Sequence, residues 1–243
     1  MGWFKKLKKK VKKKLKKAVK AVVRVVKAIS HRVAGALDFV ASLVGIRPTK
    51  YLRLKIFILT DPKNRPVQTV SEVQRWADET RKILKDKMNV ELHTPHLVVD
   101  DMVNVIEEPA PIYALGSNCG AGDAFGDAAD YYEEHSTYTV SSATSIIADL
   151  LGYGEPIFAF VITSIDNGEK SGCAIPVLNN YCTIDNHPKT TTLAHEIGHL
   201  CWLNHSDGEN NLMNPDRDDM DSDISSWQIS IFRNSRYVTY LHH

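Results

Sequence analysis

Three histidines and a glutamate stand within one short stretch, His195-Glu-Ile-Gly-His-Leu-Cys-Trp-Leu-Asn-His205. His195 and His199 are four residues apart, so a helix would place both rings on one face, where they can reach one ion. His205 can supply a third nitrogen if the helix ends near residue 202 and the chain turns back. Three imidazoles and an open fourth position form the ligand set of a catalytic zinc site. Glu196 would then lie close enough to take a proton from a zinc-bound water without being a ligand itself.

These residues resemble the motif of the metzincin zinc proteases, H-E-x-x-H-x-x-G-x-x-H followed by a Met-turn. The methionine here is Met213, and the continuation Met213-Asn214-Pro215 looks most like the matrixin branch. The resemblance implies an α+β fold: a twisted mixed sheet with an antiparallel edge strand, the zinc helix, the Met-turn and a C-terminal helix. It also implies one catalytic Zn²⁺, Met213 as a hydrophobic floor under the metal, and hydrolysis of peptide bonds with Glu196 as general base.

One position departs from this motif. Trp202 stands where the family has glycine and turns sharply out of the helix. A non-glycine residue in a left-handed conformation costs about 1–2 kcal/mol. Asn204 tolerates that conformation better, so it is the candidate to take part of the turn instead. The position of His205 is therefore the least constrained part of the predicted site.

Charge divides the chain into two physically different parts. Residues 1–50 carry a formal charge of +15 and the remainder carries −14, although the whole chain is at +1. From residue 3 to about residue 45, apolar residues recur in steps of three and four, which predicts one long amphipathic helix with a lysine-rich face. We therefore divide the chain into a basic amphipathic helix (1–47), a linker (48–50) and an acidic, metzincin-like protease domain (51–243).

The role of the basic helix stays open between four interpretations. It can bind or disrupt an anionic membrane surface as an interfacial helix, load the protein into a delivery apparatus, dock on the acidic domain, or bind nucleic acid without reading its sequence. In composition it resembles the basic leaders on cargo toxins of contractile injection systems. No charge-free apolar run of about 18 residues is present, so we expect no transmembrane span. Charges also interrupt the apolar region, which favours secretion or delivery by a non-Sec route.

The acidic part begins with a β–α–β pattern. Residues 51–59 alternate and then become wholly apolar, as a buried first strand would. Capping-box spacing opens a helix at residues 71–74 and a terminal helix at residues 225–228, the latter carrying Trp227, Ile231 and, further on, Val238. Strands are predicted at residues 51–59, 90–94, 97–100, 157–163, 172–176 and 181–184. By the resemblance, the strand at 172–176 is the edge above the cleft, where an extended substrate would pair with Gly172, Cys173, Ala174 and Ile175.

Two acidic clusters suggest a structural Ca²⁺ as a second cofactor. One contains Asp123, Asp127 and Asp130, and the other runs from Asp216 to Asp223. Neither has the spacing of an EF-hand loop closed by a glutamate. A helix starting near Asp123, and a solvated loop whose charge suits the next helix N-terminus, are the favoured interpretations.

The four cysteines, Cys119, Cys173, Cys182 and Cys201, permit two disulfides in three connectivities, or buried free thiols. The sequence does not choose among these.

The leading hypothesis is a monomeric zinc endopeptidase that acts on peptide or protein substrates and is targeted by its basic helix to a membrane or a delivery apparatus. The alternatives are a membrane-active cationic peptide fused to a catalytically inert, zinc-stabilised domain, and a cargo toxin whose basic helix serves only for loading.

Overall fold

The computed structural model describes residue 22 and residues 35–93, 104–120, 126–136, 154–175, 179–218 and 221–240. Most of the predicted basic helix and the predicted strand at 97–100 lie outside these ranges. The α-helices are α1 (Ala36–Leu43), α2 (Val70–Met88), α3 (Asp127–His135), α4 (Thr192–Leu200) and α5 (Ser226–Arg233). The strands are β1 (Lys50–Thr60), β2 (Val90–His93), β3 (Asn104–Pro109), β4 (Gly116–Ser117), β5 (Ile157–Ile162), β6 (Ser164–Ile165), β7 (Gly172–Ala174), β8 (Tyr181–Asp185) and β9 (Val238–Thr239).

One mixed sheet forms the centre of the protein. Its strand order is β2-β1-β5-β8-β7, and β3 pairs with the second half of β1. The pairs along this path are parallel until β7, which runs antiparallel to β8 at the edge. The short β9 also runs antiparallel, against the start of β1. The α+β class and the antiparallel edge strand are thereby confirmed. β3 was not predicted.

Both faces of the sheet are buried, which explains the apolar composition of its central strands. Because successive side chains of a strand point to opposite faces, β1 divides its residues between two cores. Leu54 and Ile56 lie in the core that contains residues of α2 and α4, while Phe57 and Leu59 lie in the core that contains Tyr132 of α3. The parallel strands therefore lack the alternation of apolar and polar residues that marks a half-exposed sheet.

The start of α2 differs from the prediction. The helix is capped by Thr69, whose hydroxyl accepts from the Glu72 backbone N–H at 3.3 Å, and Ser71 lies inside the first turn. Both Thr69-x-x-Glu72 and Ser71-x-x-Gln74 have capping-box spacing, so local sequence alone does not separate them. The cap at Ser225 of α5 is confirmed, with Ser225 and Gln228 bonded reciprocally.

The end of the predicted basic helix (residues 1–47) packs on α5. α1 begins at Ala36 with Gly35 as its N-cap, so the predicted helix does not run unbroken to residue 45. Phe39 packs edge-to-face on Trp227 of α5, with 5.2 Å between ring centroids. Lys50 is the first residue of β1, is only 3% exposed, and donates to Asp38 Oδ2 at 2.6 Å.

The C-terminal helix is shorter than predicted. α5 ends at Arg233, and Val238 lies in β9 rather than on the helix. Arg233 is fully buried and donates to the carbonyl oxygens of Met88 and Pro48, at 2.8 and 2.6 Å. These bonds connect the end of α5 to the end of α2 and to the chain just before β1. Among the described helices, none has the length and apolar character needed to cross a bilayer.

Candidate metal centre

α4 and the turn after it bring the three predicted histidines together. His195 and His199 lie one helical turn apart, and His205 approaches from the chain that follows the helix. His199 Nε2 is 3.0 Å from His195 Nε2 and 3.1 Å from His205 Nε2. All three ligand atoms lie within 4.8 Å of one another, so the group could hold a metal ion.

The outer nitrogens of two rings are fixed by backbone carbonyls. His195 Nδ1 lies 2.7 Å from the Leu212 oxygen, and His199 Nδ1 lies 2.8 Å from the Leu203 oxygen. A carbonyl can only accept, so Nδ1 carries the hydrogen and the Nε2 lone pair points to the centre of the group. Burial, and secondly the charge of Arg217, lowers the pKa of His195 to about 3, and burial also lowers the pKa of His199. Both imidazoles are therefore neutral, as metal ligands must be.

The donor set and its spacing suit a tetrahedral ion. Three nitrogens at the usual zinc distance would be about 3.3 Å apart in tetrahedral geometry. The measured separations of 3.0 and 3.1 Å are close to that value. Uncharged nitrogen lone pairs directed at one point favour a cation between them. The site is therefore consistent with zinc held by three protein ligands.

Trp202 itself makes the turn that was expected to involve Asn204. Its φ is +74°, and Asn204 is not among the described residues with positive φ. The Trp202 N–H donates to the His199 oxygen and the Leu203 N–H donates to the Gly198 oxygen, both at 2.9 Å. This is the bonding pattern of a Schellman motif, with tryptophan in the place usually taken by glycine. Two contacts of the next residue fix the turn at Trp202. The Leu203 side chain is buried, and the Leu203 carbonyl oxygen bonds to His199 Nδ1.

Met213 packs against α4 at Gly198. Its side chain is fully buried, and a Cβ added to Gly198 would meet the Met213 sulfur at 2.6 Å. The glycine between the first two histidines therefore makes room for the methionine. The Met213 oxygen accepts from the Ser206 N–H at 3.0 Å, which ties the turn to the residue next to His205. Met213 and Gly198 thus pack against each other, and the role of Met213 as a floor under a metal stays a prediction.

Glu196 lies between α4 and the edge strand β7. It is 5% exposed, and burial raises its pKa to about 8, although the Arg217 charge and a hydrogen bond from the Ala174 N–H act in the opposite direction. A Cβ on Gly172 would lie 2.5 Å from Glu196 Oε1. Gly172, predicted only as part of the substrate edge, therefore also provides the space that the carboxyl group occupies.

The histidines, Glu196 and β7 line one cleft of about 540 Å³. Gly172, Cys173 and Ala174 form its edge strand, whose outer side has no strand partner within the described ranges. Ile175 follows β7 and packs against the core that contains Tyr132 of α3, on the other face of the sheet from α4. The far wall contains Pro215, Asp216 and Arg217.

Arg217 was not identified from the sequence. It is 6% exposed, and its guanidinium donates to the hydroxyls of Thr191 and Thr192 at 3.2 Å. Thr191 is the N-cap of α4 but makes no side-chain capping bond. No local pattern marks the arginine, because it contacts α4 from a segment of the chain beyond Met213.

One disulfide joins Cys119 to Cys173, with 5.6 Å between Cα atoms, and the other two cysteines are buried free thiols. The sequence left this pairing open. For the acidic clusters, Asp127 and Asp130 lie in the first turn of α3, while Asp123 and Asp219 lie outside the described residues. Within the described ranges, the three histidines are the only group whose ligand atoms converge for a metal ion.

No family model matches the chain, and no curated protein sequence matches it. Among solved structures, the chain is similar to metalloproteinase-II from Bacteroides fragilis, with 16% identity and a TM-score of 0.36 over 76% of this chain and 56% of that one. It is also similar to a chain in a structure described as a chaperone–substrate complex, with 11% identity and a TM-score of 0.43 over 80% of this chain and 35% of that one. The chain therefore spans about half and about a third of the lengths of these two chains. Both TM-scores are below 0.5, so the chemistry of the site is inferred from its geometry and not from these similarities.

Proposed function

We propose that the protein is a zinc-dependent endopeptidase of the metzincin type, with His195, His199 and His205 as metal ligands and Glu196 as general base. The observation that carries this proposal is the convergence of three imidazole Nε2 atoms beside a buried carboxyl group in an open cleft. A structural metal site would ordinarily be closed by a fourth protein ligand, whereas three ligands leave a position for substrate.

The chain's own residues would contribute to peptide hydrolysis in three ways. The outer edge of β7, which has no strand partner within the described ranges, offers backbone groups other than the Ala174 N–H to an extended substrate, as an added strand would use them. The Glu196 carboxylate takes a proton from the attacking water and then gives it to the leaving amine, as a general base and acid in turn. The Leu203 and Leu212 carbonyls hold two imidazoles in the tautomer that presents Nε2 to the ion. A bound Zn²⁺ would supply the Lewis-acid chemistry, polarising the scissile carbonyl and favouring the ionised form of Glu196.

A pair of glutamate variants tests this proposal. Full-length protein, Glu196→Gln and Glu209→Gln are analysed for bound zinc and incubated with a peptide library. Glu209 is an exposed residue of the loop between His205 and the Met-turn, so it controls for the chemical change itself. We expect one zinc in each protein, cleavage by wild type and Glu209→Gln, and a loss of about 10²–10⁴-fold for Glu196→Gln. Equal cleavage by all three, or absence of zinc from wild type, would contradict the proposal.

We propose further that the basic part of the predicted helix (residues 1–47) that precedes α1 directs the protein to an anionic membrane surface. Support comes from the charge of residues 1–50 and from exposed apolar residues, Ala36 and Val40 on α1 and Val44 at its C-cap. These are four residues apart and form one stripe, as on an interfacial helix. Secretion, delivery as a toxin and loading into an injection apparatus remain proposals for the same segment.

Vesicle binding tests the targeting proposal. Full-length protein should sediment with vesicles containing anionic lipid and not with zwitterionic vesicles, and high salt should weaken binding. A full-length variant with the lysines between Lys5 and Lys20 replaced by glutamine is the matched control and should stay in the supernatant. If the two proteins partition equally, the membrane role is wrong, and loading into a delivery apparatus becomes the better interpretation.

A further inference from the structure

The Cys119–Cys173 disulfide is part of the cleft wall. It joins positions 54 residues apart, linking the middle of β7 to the segment that follows β4. Both cysteines line the same cleft as the three histidines and Glu196. Cys119 is half-buried and Cys173 is 8% exposed, so a small thiol would attack the bond at Cys119.

The residues on both sides of Cys173 contact the proposed general base. The Ala174 N–H donates to the Glu196 carboxylate. On the other side, the carboxyl group fills the space at Gly172, where a Cβ would lie 2.7 Å from Glu196 Cδ. The position of β7 therefore determines where the carboxyl group of Glu196 lies.

The strand pairing of β7 is sparse. It has three residues, and each is paired with β8 on one side only. Within the described ranges its outer side pairs with no strand. The side chain of Cys173 points to the face opposite Ala174, because successive side chains of a strand alternate. The disulfide therefore anchors β7 on one face of the strand, while Glu196 contacts β7 on the opposite face.

We propose that the Cys119–Cys173 disulfide positions Glu196, so that peptide hydrolysis depends on the thiol–disulfide state of the cleft. This inference rests on the peptidase function proposed above. Two small-molecule thiols break the S–S bond, leave an S–H group on Cys119 and on Cys173, and are themselves oxidised to one disulfide. β7 then loses its covalent link to the segment that follows β4, and the Glu196 carboxyl group that contacts β7 is no longer held in one position. The protein is thus latent in a thiol-reducing cytoplasm and active after it reaches an oxidising compartment.

The metal ligands do not share this dependence. His195 and His199 lie on α4, His205 follows the turn at Trp202, and two of the three rings are fixed by carbonyls outside β7. Reduction should therefore change catalysis while leaving zinc in place. This difference separates a positioning role from a general loss of structure.

The test uses zinc-loaded, full-length protein before and after treatment with reduced glutathione in the presence of zinc. Reduction is confirmed by the count of titratable thiols in unfolded samples, which rises from two to four. We expect kcat to fall by roughly tenfold or more with KM changed by less than about threefold. Zinc content and far-UV circular dichroism stay constant, and re-oxidation restores kcat. The Cys119→Ser/Cys173→Ser variant should have the low kcat in both conditions, which excludes effects of the reductant on the other two thiols.

Amide exchange supplies a readout that does not require activity. The Ala174 N–H should exchange faster after reduction, because its bond to Glu196 is lost. Unchanged kcat and unchanged Ala174 exchange in protein with four thiols would overturn the proposal. Parallel loss of zinc, dichroism and activity would overturn it too, since the bond would then only stabilise the fold. If oxidised protein cleaves no peptide, the peptidase function fails, and Ala174 exchange still decides whether the disulfide positions Glu196.

Discussion

Replacing Gly172 by alanine should disable the proposed general base without touching a metal ligand. The added methyl carbon would lie 2.5 Å from Glu196 Oε1 and 2.7 Å from both Cδ and Cγ. Nonbonded carbon atoms pack at about 3.5–4.0 Å, so the two groups must separate by about 1 Å. β7 is held by β8 and by the disulfide, and therefore much of this shift falls on the Glu196 side chain.

The expected magnitudes follow from this displacement. A catalytic group misplaced by about 1 Å costs on the order of 10²-fold in rate, or about 2.7 kcal/mol in transition-state stabilisation. Overpacking also lowers the free energy of unfolding by about 1–3 kcal/mol. The smaller entropy of the unfolded alanine variant offsets about 0.4–1 kcal/mol of that loss. Gly172→Ala should therefore fold, bind zinc and turn over peptide about 10²-fold more slowly.

Gly116→Ala is the matched control for this variant. Gly116 also lies in a short strand, but its added Cβ would meet only Ser164 atoms, at 3.8 Å, which is an ordinary contact. Both variants are assayed for kcat and KM on one fluorogenic peptide, for zinc content and for unfolding in urea. Gly172→Ala with kcat within about threefold of wild type would refute the packing argument. Loss of zinc would place the damage at the metal ligands instead of the base.

Three further predictions concern stability. Burial raises the pKa of Glu196 from 4.5 to about 8, so its contribution to the free energy of unfolding is present below pH 4.5 and is lost as pH rises through 8. In urea unfolding of zinc-free protein, the free energy of unfolding of Glu196→Gln should therefore increase relative to wild type by about 1.4 kcal/mol per pH unit in that window. A difference that does not change with pH would contradict this. Trp202→Asn should be more stable than Trp202→Val by about 1–2 kcal/mol and should bind zinc more tightly, because φ is +74° there; equal stability and zinc affinity would exclude backbone strain at this turn. Deleting residues 1–34 should leave the melting temperature unchanged. Deleting residues 1–47 removes α1 and with it Asp38, the ion-pair partner of the buried Lys50, and should lower the free energy of unfolding by about 3 kcal/mol. Equal melting temperatures of the two deletion variants would show that α1 does not stabilise the domain.

The residues that could be predicted from the sequence are those whose relation is local. Histidines four apart on a helix share a face whatever surrounds them. The apolar runs of β1 and β5 predict buried parallel strands because both faces of such a sheet are covered. The Ser225 cap was found by its spacing, whereas the same rule placed the start of α2 two residues late. Thr69 and Ser71 both satisfy the rule, and only packing of the helix decides between them.

The parts that could not be predicted depend on contacts between distant segments. The pairing of Cys119 with Cys173 follows from β4 pairing with β6 and from the position of β7 beside β8, neither of which is visible in cysteine spacing. The spatial role of Gly172 depends on the packing of β7 against α4. Arg217 contacts Thr192 of α4 from a position 25 residues later in the chain. The turn at Trp202 overrides the preference for Asn204, because Leu203 must be buried where its carbonyl meets His199.

The boundary in charge does not coincide with the boundary in packing. Asp38, the one acidic residue among the first 50, pairs with Lys50, which is 3% exposed and would be costly to bury without a partner. α1 therefore belongs to the packed domain.

α1 rests on α5, and Gln228 of α5 exchanges two amide hydrogen bonds with Asn211, at 3.1 and 3.2 Å. The Asn211 side chain in turn accepts from the Met213 N–H at 2.9 Å. A deletion designed on charge alone would thus expose the helix that holds the Met-turn, and a loss of activity would be mistaken for a loss of targeting. Ending the deletion at residue 34 keeps these two effects apart.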